Sequence, residues 1–69
     1  MTELAIVVNG ETRHVSGPAT AADLLKQLGL DPRAVVVEVN RQIVRRAHLE
    51  DTALADGDAV ELVHFVGGG

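Results

Sequence analysis

The stretch TAADLLKQLG, residues 20–29, decides the fold. Thr20 can cap the free N–H groups at a helix start, and Asp23, three residues on, can reach back as the acidic half of a capping box. Ala21, Leu24, Leu25 and Leu28 fall at i, i+3, i+4 and i+7, which makes one stripe of that helix apolar. Gly29 supplies the stop, and Asp31-Pro32 keeps the helix from continuing. A single capped helix with one greasy side needs a partner layer, and the flanking sequence supplies it.

Upstream, Leu4, Ile6 and Val8 alternate with Glu3, Ala5 and Val7, the period of a strand whose first set faces a core. Asn9-Gly10 then reads as a type I′ hairpin turn, since both residues tolerate positive φ. Glu11 to Val15 returns as a shorter, more polar strand suited to an edge, and Ser16-Gly17-Pro18 closes the hairpin. Downstream, Val35, Val37 and Val39 alternate with Val36 and Glu38 in a β-branched, central strand. Asn40-Arg41 turns into a short strand, Gln42-Ile43-Val44. Arg45 to Ala55 lacks clean periodicity and is expected to hold one helical turn around His48-Leu49. Asp56-Gly57-Asp58 is a tight turn, and Ala59 to Val66 is the last strand, expected beside the first. This order predicts an α+β fold of the β-grasp type, a mixed sheet of about five strands gripping one main helix. Residues 1–66 form the domain, and residues 67–69 are expected to be a flexible glycine tail.

The 69 residues suffice for one small core, which must be aliphatic because the chain has one Phe and no Trp or Tyr. With 46% hydrophobic and 23% charged residues the composition is that of a globular chain. The absence of cysteine excludes disulfides, thiol nucleophiles and Cys-based zinc sites. A net charge of −4, with Lys and Arg scattered apart from Arg45-Arg46, argues against nucleic acid and fits a partner with a basic docking surface. Neither a signal peptide nor a membrane span is legible, so the expectation is a cytoplasmic chain.

Catalytic groups are missing from the pattern. His14, His48 and His64 share no metal-ligand spacing. Ser16 has no His and Asp arrangement near it, and no pair of carboxylates stands out as acid and base. No metal and no bound cofactor is expected, and no catalytic residue. What remains is the end of the chain, Val66-Gly67-Gly68-Gly69, where the carboxylate of Gly69 sits on a slim tail able to enter a narrow cleft. If Val60 and Leu62 point into the core, Val63 and Phe65 point out, beside the outward Ala5 and Val7 of the neighbouring strand. Those four residues form a candidate docking patch at the root of the tail.

Taken together, Val8-Asn9-Gly10-Glu11, Thr20 through Asp23-Leu24-Leu25, Val39-Asn40, Val44, Asp56-Gly57-Asp58 and the closing Val66-Gly67-Gly68-Gly69 resemble the bacterial ThiS family of ubiquitin-like sulfur carriers. The resemblance spans nearly the whole chain in order, with Arg45 where many relatives carry Pro. It implies a carrier and not an enzyme: an E1-like, ThiF-like adenylyltransferase uses ATP and magnesium to adenylate the carboxylate of Gly69. A sulfur donor such as a cysteine desulfurase then leads to a thiocarboxylate, and a ThiG-like thiazole synthase takes the sulfur for the thiazole ring of thiamine. Gly69 then carries the sulfur and Gly68 completes the diglycine. The same fold and ending also suit the small subunit of molybdopterin synthase, and the same carboxylate suits a ubiquitin-like protein modifier.

Overall fold

The computed structural model describes residues 2–65. Five strands form one mixed sheet in the order β2-β1-β5-β3-β4: β1 is Thr2–Val8, β2 Glu11–Gly17, β3 Val35–Val39, β4 Gln42–Val44 and β5 Ala59–His64. The helix α1, Ala21–Leu28, lies across one face. This is the β-grasp architecture, with the first and last strands parallel at the centre and antiparallel hairpins on either side.

The helix forms as its sequence dictates. The Asp23 N–H donates to Thr20 Oγ1 at 3.2 Å while the Thr20 N–H donates to Asp23 Oδ2 at 2.9 Å, so the capping box is complete. At the other end Gly29 turns left-handed at φ 72°, and the Leu30 N–H donates back to the Leu25 carbonyl. Ala21, Leu24 and Leu25 are buried, and Leu28 is half-buried against the same core. Opposite them lie Leu4, Ile6, Val8, Val15, Val35, Val37 and Val60, with Leu49 and Leu54 closing the side. The core is wholly aliphatic, as the composition requires.

Both hairpins turn on an asparagine with positive φ. Asn9 (φ 49°) and Gly10 (φ 83°) join Val8 to Glu11, and Asn40 (φ 51°) and Arg41 (φ 70°) join Val39 to Gln42. Two consecutive positive-φ residues are what a type I′ turn requires. Residues 46–51 wind as a 3₁₀ turn that buries Leu49, in the place expected for a single helical turn. The Ala21 N–H donates to Thr52 O and the Leu54 N–H to Ala19 O, tying this segment to the helix start.

Two boundaries differ from expectation. β2 runs to Gly17, past Val15, because Ser16 and Gly17 still pair with Glu3 and Thr2. A Cβ on Gly17 would sit 3.2 Å from Leu4 Cγ, so glycine lets the end of this ladder close over a core leucine. β5 ends at His64 because its partner there, Val35, is the first residue of β3. Val66 and the tail residues Gly67, Gly68 and Gly69 lie outside the described residues. Among the described residues no helix is long and apolar enough to cross a membrane.

Candidate functional site

β5 leads towards the glycines, so what fixes β5 fixes where the tail begins. Its hydrogen-bonded ladder with β1 holds only two residue pairs, Val7 with Ala59 and Val8 with Val60. At Ala5 and Val7, β1 is bonded by the turn before β5. The Ala5 N–H donates to Asp56 Oδ1 at 2.7 Å, the Gly57 N–H donates to Ala5 O at 2.7 Å, and the Val7 N–H donates to Asp58 O at 2.9 Å. The Asn9 N–H still donates to Val60 O at 2.9 Å, and beyond that a side chain takes over from the backbone. Asn9 Oδ1 accepts from the Leu62 N–H at 2.8 Å and its Nδ2 donates to Leu62 O at 3.2 Å, as one more strand residue would.

Asn40 does the matching work on the other flank. Its N–H donates to Ala59 O at 2.7 Å, its Oδ1 accepts from the Ala59 N–H at 3.0 Å, and its Nδ2 donates to Asp58 Oδ1 at 3.0 Å. Asp58 Oδ2 in turn accepts from the Ala55 N–H. The two hairpin asparagines therefore hold β5 from both sides, and their left-handed backbone is what aims their amides at it. Past the strand, the Phe65 N–H donates to Ala34 O at 2.9 Å, anchoring the last described residue to the 3₁₀ turn Pro32–Ala34 that precedes β3.

This anchoring places the predicted docking residues. Ala5, Val7 and Val63 lie on the face opposite the helix, as strand parity requires, and Phe65 follows past the end of β5, but the four do not form one cluster. Val7 stands beside Ala59, and Val63 is four residues further along β5, about 13 Å at strand rise. The neighbour of Val63 is Val36 on β3. The expectation that Val63 and Phe65 sit beside Ala5 and Val7 is corrected here. Because the Asp56-Gly57-Asp58 turn is bonded to β1 at Ala5 and Val7, β5 starts late and overruns the hairpin.

The open face carries exposed apolar side chains nonetheless. Phe65 is 59% exposed and does not fold back over the core; Val63 is 55% and Val7 36% exposed. Ile43 on β4, at 67%, was missed as a surface residue. The signal for it was present: the two-residue Asn40-Arg41 turn pairs Val39 with Gln42, so Ile43 must lie opposite Glu38 and outward.

On the helix side, where α1 stops short of the sheet's end, a cavity of about 250 Å³ opens between Leu28, Glu11, Arg13 and His64. His64 shares the inward parity of Val60 and Leu62, His14 lies 3.6 Å from Glu3 on the hairpin, and His48 is in the 3₁₀ turn. Among the described residues no three His, Asp or Glu side chains come together as a metal site. The Asp31 carboxylate accepts from the Arg33 guanidinium at 3.0 Å, and that bond holds Asp31 below the usual carboxylate range. The described residues offer exposed aliphatic side chains on the open face, a strand held from both sides, and a last residue, Phe65, bonded to Ala34.

Residues 6–69 match the ThiS family. The chain is 44% identical over 66 residues, 96% of its length, to a thiazole synthase of Paramagnetospirillum magneticum, of which it spans 20%. It is 42% identical over 50 residues to the sulfur carrier protein ThiS of Bacillus subtilis, covering 72% of this chain and 76% of that one. Among solved structures, a thiamine biosynthesis protein (ThiS) from Geobacter metallireducens superposes with a TM-score of 0.81 at 35% identity, covering 96% of this chain and all of that one.

Proposed function

The chain belongs to the ThiS family, and from that premise we propose that it is a sulfur carrier for thiamine biosynthesis whose working group is the carboxylate of Gly69. The observation that carries the reading is the extent of the family match, which runs from β1 through the three glycines. In the proposed cycle a ThiF-like adenylating enzyme binds ATP and magnesium. An oxygen of the Gly69 carboxylate attacks the α-phosphorus, and pyrophosphate leaves. The resulting acyl-adenylate is an electrophile, which a free carboxylate is not. The outer sulfur of a persulfide on a donor such as a cysteine desulfurase then attacks the carbonyl carbon, the C–S bond forms and AMP departs. A thiol reductant cleaves the S–S bond of the resulting acyl disulfide, is itself oxidised to a disulfide, and leaves the thiocarboxylate. A thiazole synthase takes the sulfur from the thiocarboxylate for the thiazole ring.

In this reading the chain is a protein co-substrate acting in the cytoplasm, and its partners supply the catalytic groups and the cofactors. Gly67 and Gly68 give the tail the width of bare backbone, so that it fits a cleft too narrow for side chains. Val63 and Phe65 dock the partner near the root of the tail, and Ala5 and Val7 extend the contact at the far end of the same face. The rigid placement of β5 supports this division, since a tail delivered from a loose strand would lose the benefit of orientation.

The test is the intact mass of the chain after incubation with the adenylating enzyme, ATP, magnesium and a sulfur source. The reading predicts exchange of one oxygen for sulfur, and peptide mapping must place it at Gly69. Mapping matters because oxidation of Met1, the single methionine, adds almost the same mass. An unchanged C-terminal peptide, with the enzyme shown active on another carrier, would overturn it.

A further inference from the structure

The register of the open face puts Glu38 of β3 directly opposite Glu61 of β5. Like charges facing each other across a ladder are destabilising, and among the described residues neither glutamate has an ion-pair partner. Several other acids have local work: Asp23 caps the helix, Asp31 pairs with Arg33, Asp56 and Asp58 hold the turn, and Glu3 meets His14. The surroundings of the pair are apolar. Val36 and Val63 face each other one step along the same side of the ladder, and Ile43 stands opposite Glu38 on β4. Fold stability gives no reason to set two carboxylates there.

We propose that this face docks a thiazole synthase, with the apolar surfaces of the two proteins closing around one arginine or lysine of that partner held between Glu38 and Glu61. The partner rests on the functional reading above and on the thiazole synthases in which a related segment forms part of the same chain. The cation rests on charge complementarity. Side chains directly opposite on adjacent strands have Cβ atoms about 5 Å apart, a spacing that one planar guanidinium, with donors on two edges, can bridge. Docking would remove water from Val36, Ile43 and Val63, and two carboxylates among them cannot be buried without a compensating cation. The pair therefore selects as well as binds, because an apolar surface lacking the cation is rejected. A second copy of this chain is a poor occupant for the same reason, since it would bring Glu38 and Glu61 against its own acidic pair.

The experiment measures binding of the full chain to the full-length thiazole synthase of the source organism by titration calorimetry. Glu38→Gln/Glu61→Gln should weaken binding about 30-fold or more, while its thermal unfolding midpoint stays level or rises because a repulsion has gone. Val63→Ser should also lose affinity, whereas Glu50→Gln in the 3₁₀ turn should bind as the parent does. The proposal is overturned if the double glutamine variant binds undiminished, if the parent chain does not bind the synthase, or if the face instead mediates self-association in sedimentation. It is also overturned if only the adenylating enzyme responds to the double variant. Sulfur loading at Gly69 is scored separately by mass. A chain that loads sulfur but ignores the glutamate changes loses this proposal alone, and one that binds through the glutamates but takes no sulfur loses the carrier reading alone.

Discussion

On the helix side of the sheet, Ile6, Val37 and Val60 are sealed under α1. One step along the same strands, or on their neighbours, Val7, Val63 and Ile43 stand in water. The residue types are the same and the strand pairing is shared, so hydrophobicity alone does not say which valine holds the fold and which is free to meet a partner. Position decides. The helix covers one face, nothing among the described residues covers the other, and exposed aliphatic side chains on an open face are where an interaction surface is proposed. The inner set answers for stability and the outer set is available for binding.

The largest expected effect tests that contrast directly. Ile6→Ala, at a side chain that is fully buried, should cost about 2–5 kcal/mol in denaturant unfolding. Val63→Ala on the outer face should stay within about 0.5 kcal/mol of the parent. Comparable losses at the two positions would break the distinction between the faces. A smaller effect is expected at the turn that serves both. Asn9→Ala removes two hydrogen bonds to Leu62 and places a less tolerant residue at positive φ, for a loss of about 1–3 kcal/mol. It should also raise amide exchange along β5 more than along β3.

The smallest effect lies at the helix start and depends on pH. Hydrogen bonds from the Thr20 backbone N–H and then its hydroxyl, with a lesser contribution from Lys26, hold the Asp23 carboxyl below its ordinary value of 3.8. A carboxyl lowered in the folded state adds stability that is present above its unfolded pKa and disappears as pH falls through the folded one. Asp23→Asn should therefore show a shallower loss of melting temperature than the parent on titrating below about pH 4, and a reduced melting temperature at neutral pH. Parallel curves for the two proteins would remove Asp23 from the acid limb.

What the sequence revealed and what it hid follow the same division. The capping box, the Gly29 stop and the Asn9-Gly10 turn were legible because each is settled within a few residues of chain. The outward parity of Val63 was legible because a strand alternates wherever it lies, and Phe65 is exposed just past the end of that strand. Their distance from Ala5 and Val7 was not, since it depends on where Asp56 and Asp58 grip β1, a contact some fifty residues apart in sequence. The use of the Asn9 and Asn40 side chains as substitutes for strand backbone was hidden for the same reason. Both asparagines were recognised as turn formers, but their reach to β5 exists only once the sheet is assembled. The facing of Glu38 and Glu61 likewise belongs to the register between β3 and β5 and to neither strand alone.

The central claim is that sulfur passes through the carboxylate of Gly69, delivered from a domain whose two hairpin asparagines hold β5 from both sides. A single-turnover reaction with a heavy-isotope sulfur donor, the adenylating enzyme, ATP, magnesium and a thiazole synthase supplied with its carbon and nitrogen substrates tests it most directly. Label should enter the C-terminal peptide containing Gly69 first and the thiazole ring second, and a chain lacking Gly68 and Gly69 should pass none. Label reaching the ring without appearing in that peptide, or equal transfer by the shortened chain, would contradict the account.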